Sequence, residues 1–308
     1  MKPLDRALHD YLATRRALGF KLRRAGLLLP DFVRFLAQTG HAVVTAGAAV
    51  AWARQPTAAR PAWWSARLDE VRGFAKYLQT LDSRHEIPPR ALLAHRHMRA
   101  APYVYEPTEI AALLRATEVL TSPLRVATYR TLIGLLAVTG LRTGEAIRLD
   151  RTDVDLRRGR LLIRHTKFGK TRQVPLHATT VAALARYARL RDRLAPRRRM
   201  PSFFVSTVGR RLIYQNVHET FLRLVYAAGI ADRRPRRPRI HDLRHTFAVH
   251  SVVGWHRAGL DVERQLPVLA TYLGHVSVAS TYWYLSAVPE LLGAATARLE
   301  RALMDARS

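Results

Sequence analysis

The sequence predicts a mainly α-helical protein of two domains, the second an α+β domain holding one small β-sheet or hairpin. Three observations lead there. Apolar residues recur at helical spacing along most of the chain. Residues 85 to 107, "HEIPPRALLAHRHMRAAPYVYEP", break that pattern with prolines and basic residues. A single stretch, "RLLIRHTKFGKTRQVPL", sets two β-rich runs on either side of a Phe-Gly turn. The 308 residues suffice for two separate cores.

Taken in order, the first hundred residues read as amphipathic helices over 4 to 18, 28 to 39, 45 to 54 and 62 to 81, with Gly, Pro and Thr between them. No strand pattern occurs there. We take residues 1–98 as a basic helical domain, 99–106 as the linker within the proline-rich stretch, and 107–308 as the second domain. Helical periodicity resumes over 107 to 118, 124 to 138 and 143 to 149, and the hairpin follows. Helices then return at 178 to 194, 214 to 228, 240 to 256, 263 to 273, 278 to 285 and 289 to 305. No internal repeat is visible. "RDRLAPRRRMP" and "ADRRPRRPR" are short basic loops, either solvated or in contact with a polyanion.

Charge narrows the partner. The chain has 51 Lys and Arg against 23 Asp and Glu, a net +28 that exceeds what solubility requires and points to nucleic acid. The surplus is spread: residues 1 to 100 hold 17 basic and 7 acidic residues. Both domains are therefore expected to grip a duplex, as a clamp with steep salt dependence. An arginine-rich composition, 46 Arg to 5 Lys, accounts for part of the excess. With no cysteine, disulfides, thiolate nucleophiles and cysteine zinc sites are excluded. The most apolar run, "TLIGLLAVTGL", is too short to span a bilayer, and "MKPLDRALHDYL" lacks an export signal, so we expect a soluble, cytoplasmic, nucleoid-associated protein with no membrane contact.

Several short motifs carry chemistry. In "IHDLRHTFAVH", His241 and Arg244 lie three apart, on one helical face to which a phosphate can dock. His241 and His245 have the spacing of a zinc pair, but Asp242 replaces the glutamate of that pattern, Arg244 adds positive charge and no third ligand is evident. No metal is expected, and His245 reads as a packing histidine. In "TGLRTGEAIRL", Gly140 and Leu141 end one helix and Thr143 can cap the next. That leaves Arg142 at a junction, either reaching a cleft or held structurally by Glu145. Lys167 sits beside the hairpin turn, with Lys170 as the competing choice, where a mobile ammonium can enter a groove and deliver a proton. Lys170, Arg172 and Arg99 are the expected DNA-contacting residues. Finally, "LGHVSVASTYWYLSA" offers His275 and two tyrosines, Tyr282 and Tyr284. Two residues apart, their rings stand about 200° around a helix, so both cannot face one phosphate.

The order of these motifs, Arg in "TGLR", Lys in a hairpin, "HDLR", "LGH" and a Tyr nine residues beyond that His, resembles the tyrosine recombinase, or phage integrase, family. The stretch "STYWYLSAVPELL" is similar to transposon-type members. The resemblance implies a core-binding first domain and a catalytic second domain. It selects Tyr284 as nucleophile, forming a 3′-phosphotyrosyl link and freeing a 5′-hydroxyl. Arg142 and Arg244 clamp the phosphoryl oxygens, His241 is the candidate base, Lys167 the candidate acid, and His275 binds the phosphate or orients the tyrosine. Glu145 positions the arginines. No cofactor is needed, since the arginines supply the charge that a divalent ion supplies elsewhere. The partner is double-stranded DNA, and the family arrangement is a tetramer on two DNA sites, with related recombinases as further partners. A type IB topoisomerase-like enzyme and a catalytically silent DNA-binding accessory protein are the alternatives. The segment between Arg244 and His275 is longer than in simpler members, which bears on how His275 is presented.

Overall fold

The computed structural model describes residues 3–90, 92–93, 102–164, 171–195, 200–231, 237–275 and 281. The chain divides into two compact units, Met1–Ala100 and Ala101–Ser308.

The first unit is built on α1 (Pro3–Ala17), α2 (Arg23–Gln38), α3 (Ala46–Arg54) and α4 (Pro61–Leu81). Helix α4 opens with Pro61 at its first position, where a missing N–H costs nothing. It packs on the other three helices. Their apolar faces meet in a core of Leu29, Phe32, Leu36, Trp52, Leu68 and Phe74. Helix α2 begins five residues earlier than its periodicity suggests, after Leu22 in a left-handed conformation. A polar element is embedded in this core. The Arg67 guanidinium lies 3.8 Å from the centre of the Trp52 ring and donates to the Trp52 carbonyl, while Trp52 Nε1 donates to Asp31.

The proline-rich stretch is not uniform. Its start is fastened to the first unit: the Glu86 N–H donates to the Val44 carbonyl, and Arg72 donates to the carbonyls of Pro88, Pro89 and Leu92. Its end is fastened within the second unit, where the Tyr103 hydroxyl donates to Glu109 and the Tyr105 N–H donates to Thr246 Oγ1. Prolines hide these contacts from a reading by periodicity.

The second unit places α5 (Pro107–Ala116), α6 (Pro123–Thr139) and α7 (Thr143–Arg148) before the sheet, and α8 (Ala178–Leu194), α9 (Tyr214–Ala227), α10 (Asp242–Arg257) and α11 (Val262–Leu273) after it. Helix α6 carries the most apolar run of the chain, and its Leu132, Ile133, Leu135 and Leu136 are buried because α5, α8 and α10 all pack on it. The sheet has three antiparallel strands, β1 (Val154–Asp155), β2 (Arg160–Ile163) and β3 (Arg172–Pro175), in the order β1-β2-β3. The expected hairpin is thus joined by a two-residue strand, too short to leave a periodic signal. Pairing sets Leu161 opposite Val174 and Ile163 opposite Arg172. Strand alternation then sends Leu161, Ile163, Val174 and Arg172 to the same, inner face. The long segment after Arg244 consists of the rest of α10, a turn through Gly259 at φ 70° and helix α11. The expected helices beyond residue 275 lie outside the described residues. No helix among the described residues is long and apolar enough to cross a membrane.

Trp52→Ala removes a fully buried ring and the seat of Arg67 together, and should cost about 3–5 kcal/mol of stability. Urea unfolding of the full chain followed by far-UV dichroism measures this, and Trp52→Phe should lose less.

Candidate active site

Two helix ends build the site. Helices α6 and α11 both stop at a glycine in the left-handed region, Gly140 at φ 60° and Gly274 at φ 68°. A side chain at either position would also displace a neighbour. An added Cβ would meet Phe247 Cδ1 at 2.6 Å at position 140 and Arg172 Nη1 at 2.8 Å at position 274. The last carbonyls of a helix have no partner within it and carry its partial negative charge. Here arginines take them. Arg244 donates through Nη1 to the Gly140 carbonyl and through Nη2 to the Leu273 carbonyl, both at 2.8 Å. Arg142 Nη2 donates to the Gly274 carbonyl at 3.0 Å, and Arg172 Nε to the Tyr272 carbonyl at 2.8 Å. Arginines from α7, β3 and α10 therefore converge on two helix termini.

Glu145 joins two of these arginines from below. Its side chain is 2% exposed. Oε1 accepts from Arg142 Nη1 at 2.9 Å and Arg172 Nη1 at 3.2 Å, and Oε2 from Arg172 Nη2 at 2.8 Å and the Arg142 N–H at 3.0 Å. Arg142, rather than the expected Thr143, occupies the N-cap position of α7, and its N–H donates to Glu145 at the third helical position. Burial pushes the Glu145 pKa up, but the hydrogen bonds and charge of Arg172, then those of Arg142, outweigh it and hold the carboxyl at about 2. The arginines differ in access: the Arg142 side chain is 32% exposed, Arg172 11%, and Arg244 lies buried.

Three histidines line the same place. His275 follows Gly274 and its N–H donates to the Ala270 carbonyl, a bond spanning the glycine that ends α11. Its Nδ1 is 2.8 Å from Thr281 Oγ1. Burial, then the charges of Arg244, Arg142 and Arg172, lowers its pKa to about 4. His245 is also lowered to about 4, by burial and then by His241. His241 precedes α10, and desolvation followed by the Arg244 charge lowers it too. The His241 and His245 rings meet edge to face at 4.8 Å, which is a packing contact. No group of three or more His, Cys, Asp or Glu side chains placed to hold a metal ion occurs among the described residues.

The structure thus brings together Arg142, Glu145, His241, Arg244 and His275, which with Arg172 are the candidates that fall within the described residues. Lys167, Lys170, Arg99, Tyr282 and Tyr284 lie outside them. Arg172, expected as a DNA-contacting residue, has its side chain turned inward, because it shares a strand face with Val174 and finds Glu145 there. Alternation within "RQVPL" is the signal that could have placed it. Two further contributions escaped the sequence reading. Thr281 is fully buried against His275, and the carbonyls of Gly140, Tyr272, Leu273 and Gly274 are backbone groups that side-chain motifs do not reveal.

The lowered histidines fix a pH dependence. Between about pH 6.5 and 4 the unfolded chain binds protons that His245 and His275 refuse when folded. Stability should therefore fall as pH falls through that window. The urea midpoint at pH 5 should lie below that at pH 7, and His275→Gln should narrow the gap.

Comparison with known proteins identifies the family. Residues 104–290 match the model of the phage integrase family. The chain is 44% identical to the integrase/recombinase y4rB of Sinorhizobium fredii, over 99% of both chains. It is 32% identical to the tyrosine recombinase XerD of Caulobacter vibrioides, over 94% of this chain and 92% of that one. In fold it is similar to the Tn1549 transposon integrase in complex with transposon right end DNA, with a TM-score of 0.69 at 18% identity, covering 96% of this chain and 98% of that one. With three arginines gathered on two helix ends and a family match over most of the second unit, the chain belongs to the phage integrase family of tyrosine recombinases, enzymes that cleave and rejoin DNA strands.

Proposed function

We propose that this chain is a site-specific recombinase that cuts and rejoins double-stranded DNA of a mobile element through a 3′-phosphotyrosyl link to Tyr284. The observation that carries the proposal is the convergence of Arg142, Arg244 and His275 on the ends of α6 and α11. Fixed positive charge at one point is what a phosphodiester needs as negative charge builds on its oxygens. The names of the relatives, an integrase/recombinase and a transposon integrase, support a mobile element as the biological setting.

In this reading the Tyr284 oxygen attacks phosphorus, the bond to the 5′-oxygen breaks, and the 3′-phosphate remains on the tyrosine. A free phenol titrates near 10, so its proton must be taken as it attacks. His241 is the acceptor: its lowered pKa keeps it neutral near pH 7. Lys167 returns a proton to the leaving 5′-oxygen. Arg142, the most exposed of the three guanidiniums, engages the phosphate directly, and Arg244 acts from the buried wall behind it. His275 steadies the phosphate or the tyrosine. The phosphotyrosyl bond is itself a phosphate ester, so rejoining to another 5′-hydroxyl consumes no ATP. Four protomers act on two DNA sites, linked by the helix expected over 289 to 305, and related recombinases are candidate partners.

The test uses a nicked duplex carrying the sequence that the full chain selects from a random DNA pool. Tyr284→Phe should abolish the denaturation-resistant adduct while binding persists, whereas Tyr282→Phe should retain the adduct. An adduct on Tyr284→Phe, or mapped to Tyr282, sinks the assignment. Arg142→Lys, which keeps charge but loses the planar fork, should slow cleavage by roughly 10²-fold. Excess chelator should change none of these rates. Deleting residues 289–308 should weaken pairing of two DNA sites more than binding to one.

A further inference from the structure

Arg172 stands apart among the arginines of the site because nothing about it suits contact with DNA. Its side chain is 11% exposed, and all three nitrogens face inward: Nε to the Tyr272 carbonyl, Nη1 and Nη2 to the two oxygens of Glu145. A buried carboxylate pairing with Arg142 alone would cancel the charge that Arg142 offers a phosphate. Glu145 is instead shared between two guanidiniums. With the histidines neutral, Arg142, Arg172 and Arg244 against Glu145 sum to +2 among the described residues of the site. That surplus leaves positive charge for the negative charge that builds as a tyrosinate adds to a phosphodiester.

We infer that Arg172 is a positioning residue that neutralises Glu145 so that Arg142 keeps its charge for the phosphate, and that ties β3 to the α11 end presenting His275. The inference rests on the proposed phosphate-binding role of Arg142. Its second half follows from the geometry around Gly274. The Tyr272 carbonyl receives Arg172, the Gly274 carbonyl receives Arg142, and His275 is the next residue. A Cβ on Gly274 would meet the Arg172 guanidinium at 2.8 Å, so the arginine in this place needs a glycine there. Strand β3 thereby sets the position of both Arg142 and His275.

A charge-compensating role has a signature that packing or DNA contact lacks. Arg172→Met leaves Glu145 to bind Arg142 alone and should slow cleavage of the nicked duplex by about 10²-fold. Site affinity should stay within about twofold, and the salt dependence should be unchanged, whereas loss of a phosphate contact lowers the salt slope by about 1. Adding Glu145→Gln to Arg172→Met removes the uncompensated charge and should restore cleavage by about tenfold over the single variant. A double variant no faster than the single one overturns the inference, as does a reduced salt slope in Arg172→Met. If Arg172→Met does not fold, Arg172→Lys decides. It keeps the charge but loses the fork, so it should slow cleavage by about tenfold with the salt slope unchanged, and a loss beyond about 10²-fold in a folded protein overturns the idea. Absence of any Tyr284-dependent adduct in the parent chain would instead remove the underlying recombinase reading.

Discussion

The site depends on one constraint: the carbonyls at the ends of α6 and α11 must be satisfied, and arginines satisfy them. A helix C-terminus buried without donors is costly, and a guanidinium buried without acceptors is more so. Joining the two removes both costs. Arg244 bridges the two ends, to Gly140 and to Leu273, so it fixes the distance between helices that are far apart in sequence. Once that bridge is in place, His275 is positioned by the turn through Gly274, and Arg142 is anchored by the Gly274 carbonyl.

The arrangement carries excess positive charge in a place that water reaches only partly, which by itself opposes folding. Glu145 relieves it locally. The carboxylate stays ionised because two guanidiniums and a backbone N–H hold it. The histidines relieve it differently, by remaining neutral at ordinary pH under the combined effect of burial and the arginine charges.

The first unit solves a different problem with similar parts. Its basic surface surrounds an apolar core in which Arg67 is covered by Trp52 and stays close to Asp31. Arg72 holds the carbonyls of residues that follow α4. Arginine in this chain is therefore an internal fastener as well as a surface cation, and its total count overstates the charge that faces a polyanion.

Much of this protein is legible in its sequence. Helix periodicity located all eleven α-helices of the described residues, since most bury one face and leave the other wet. The order of the short motifs pointed to the family, and the spacing of Arg142 and Glu145 already suggested their pairing. The sequence could not show that Arg172 turns inward, because that follows from the register of β3 on β2 and from where α7 comes to rest beneath it. Nor could it show which acceptors hold the arginines, because those acceptors are backbone carbonyls that every residue type carries. Local spacing determined the elements and named the chemistry. Only tertiary packing decided which charges meet, because a pairing between residues 142 and 274, or 140 and 244, exists only once the helix ends are brought together.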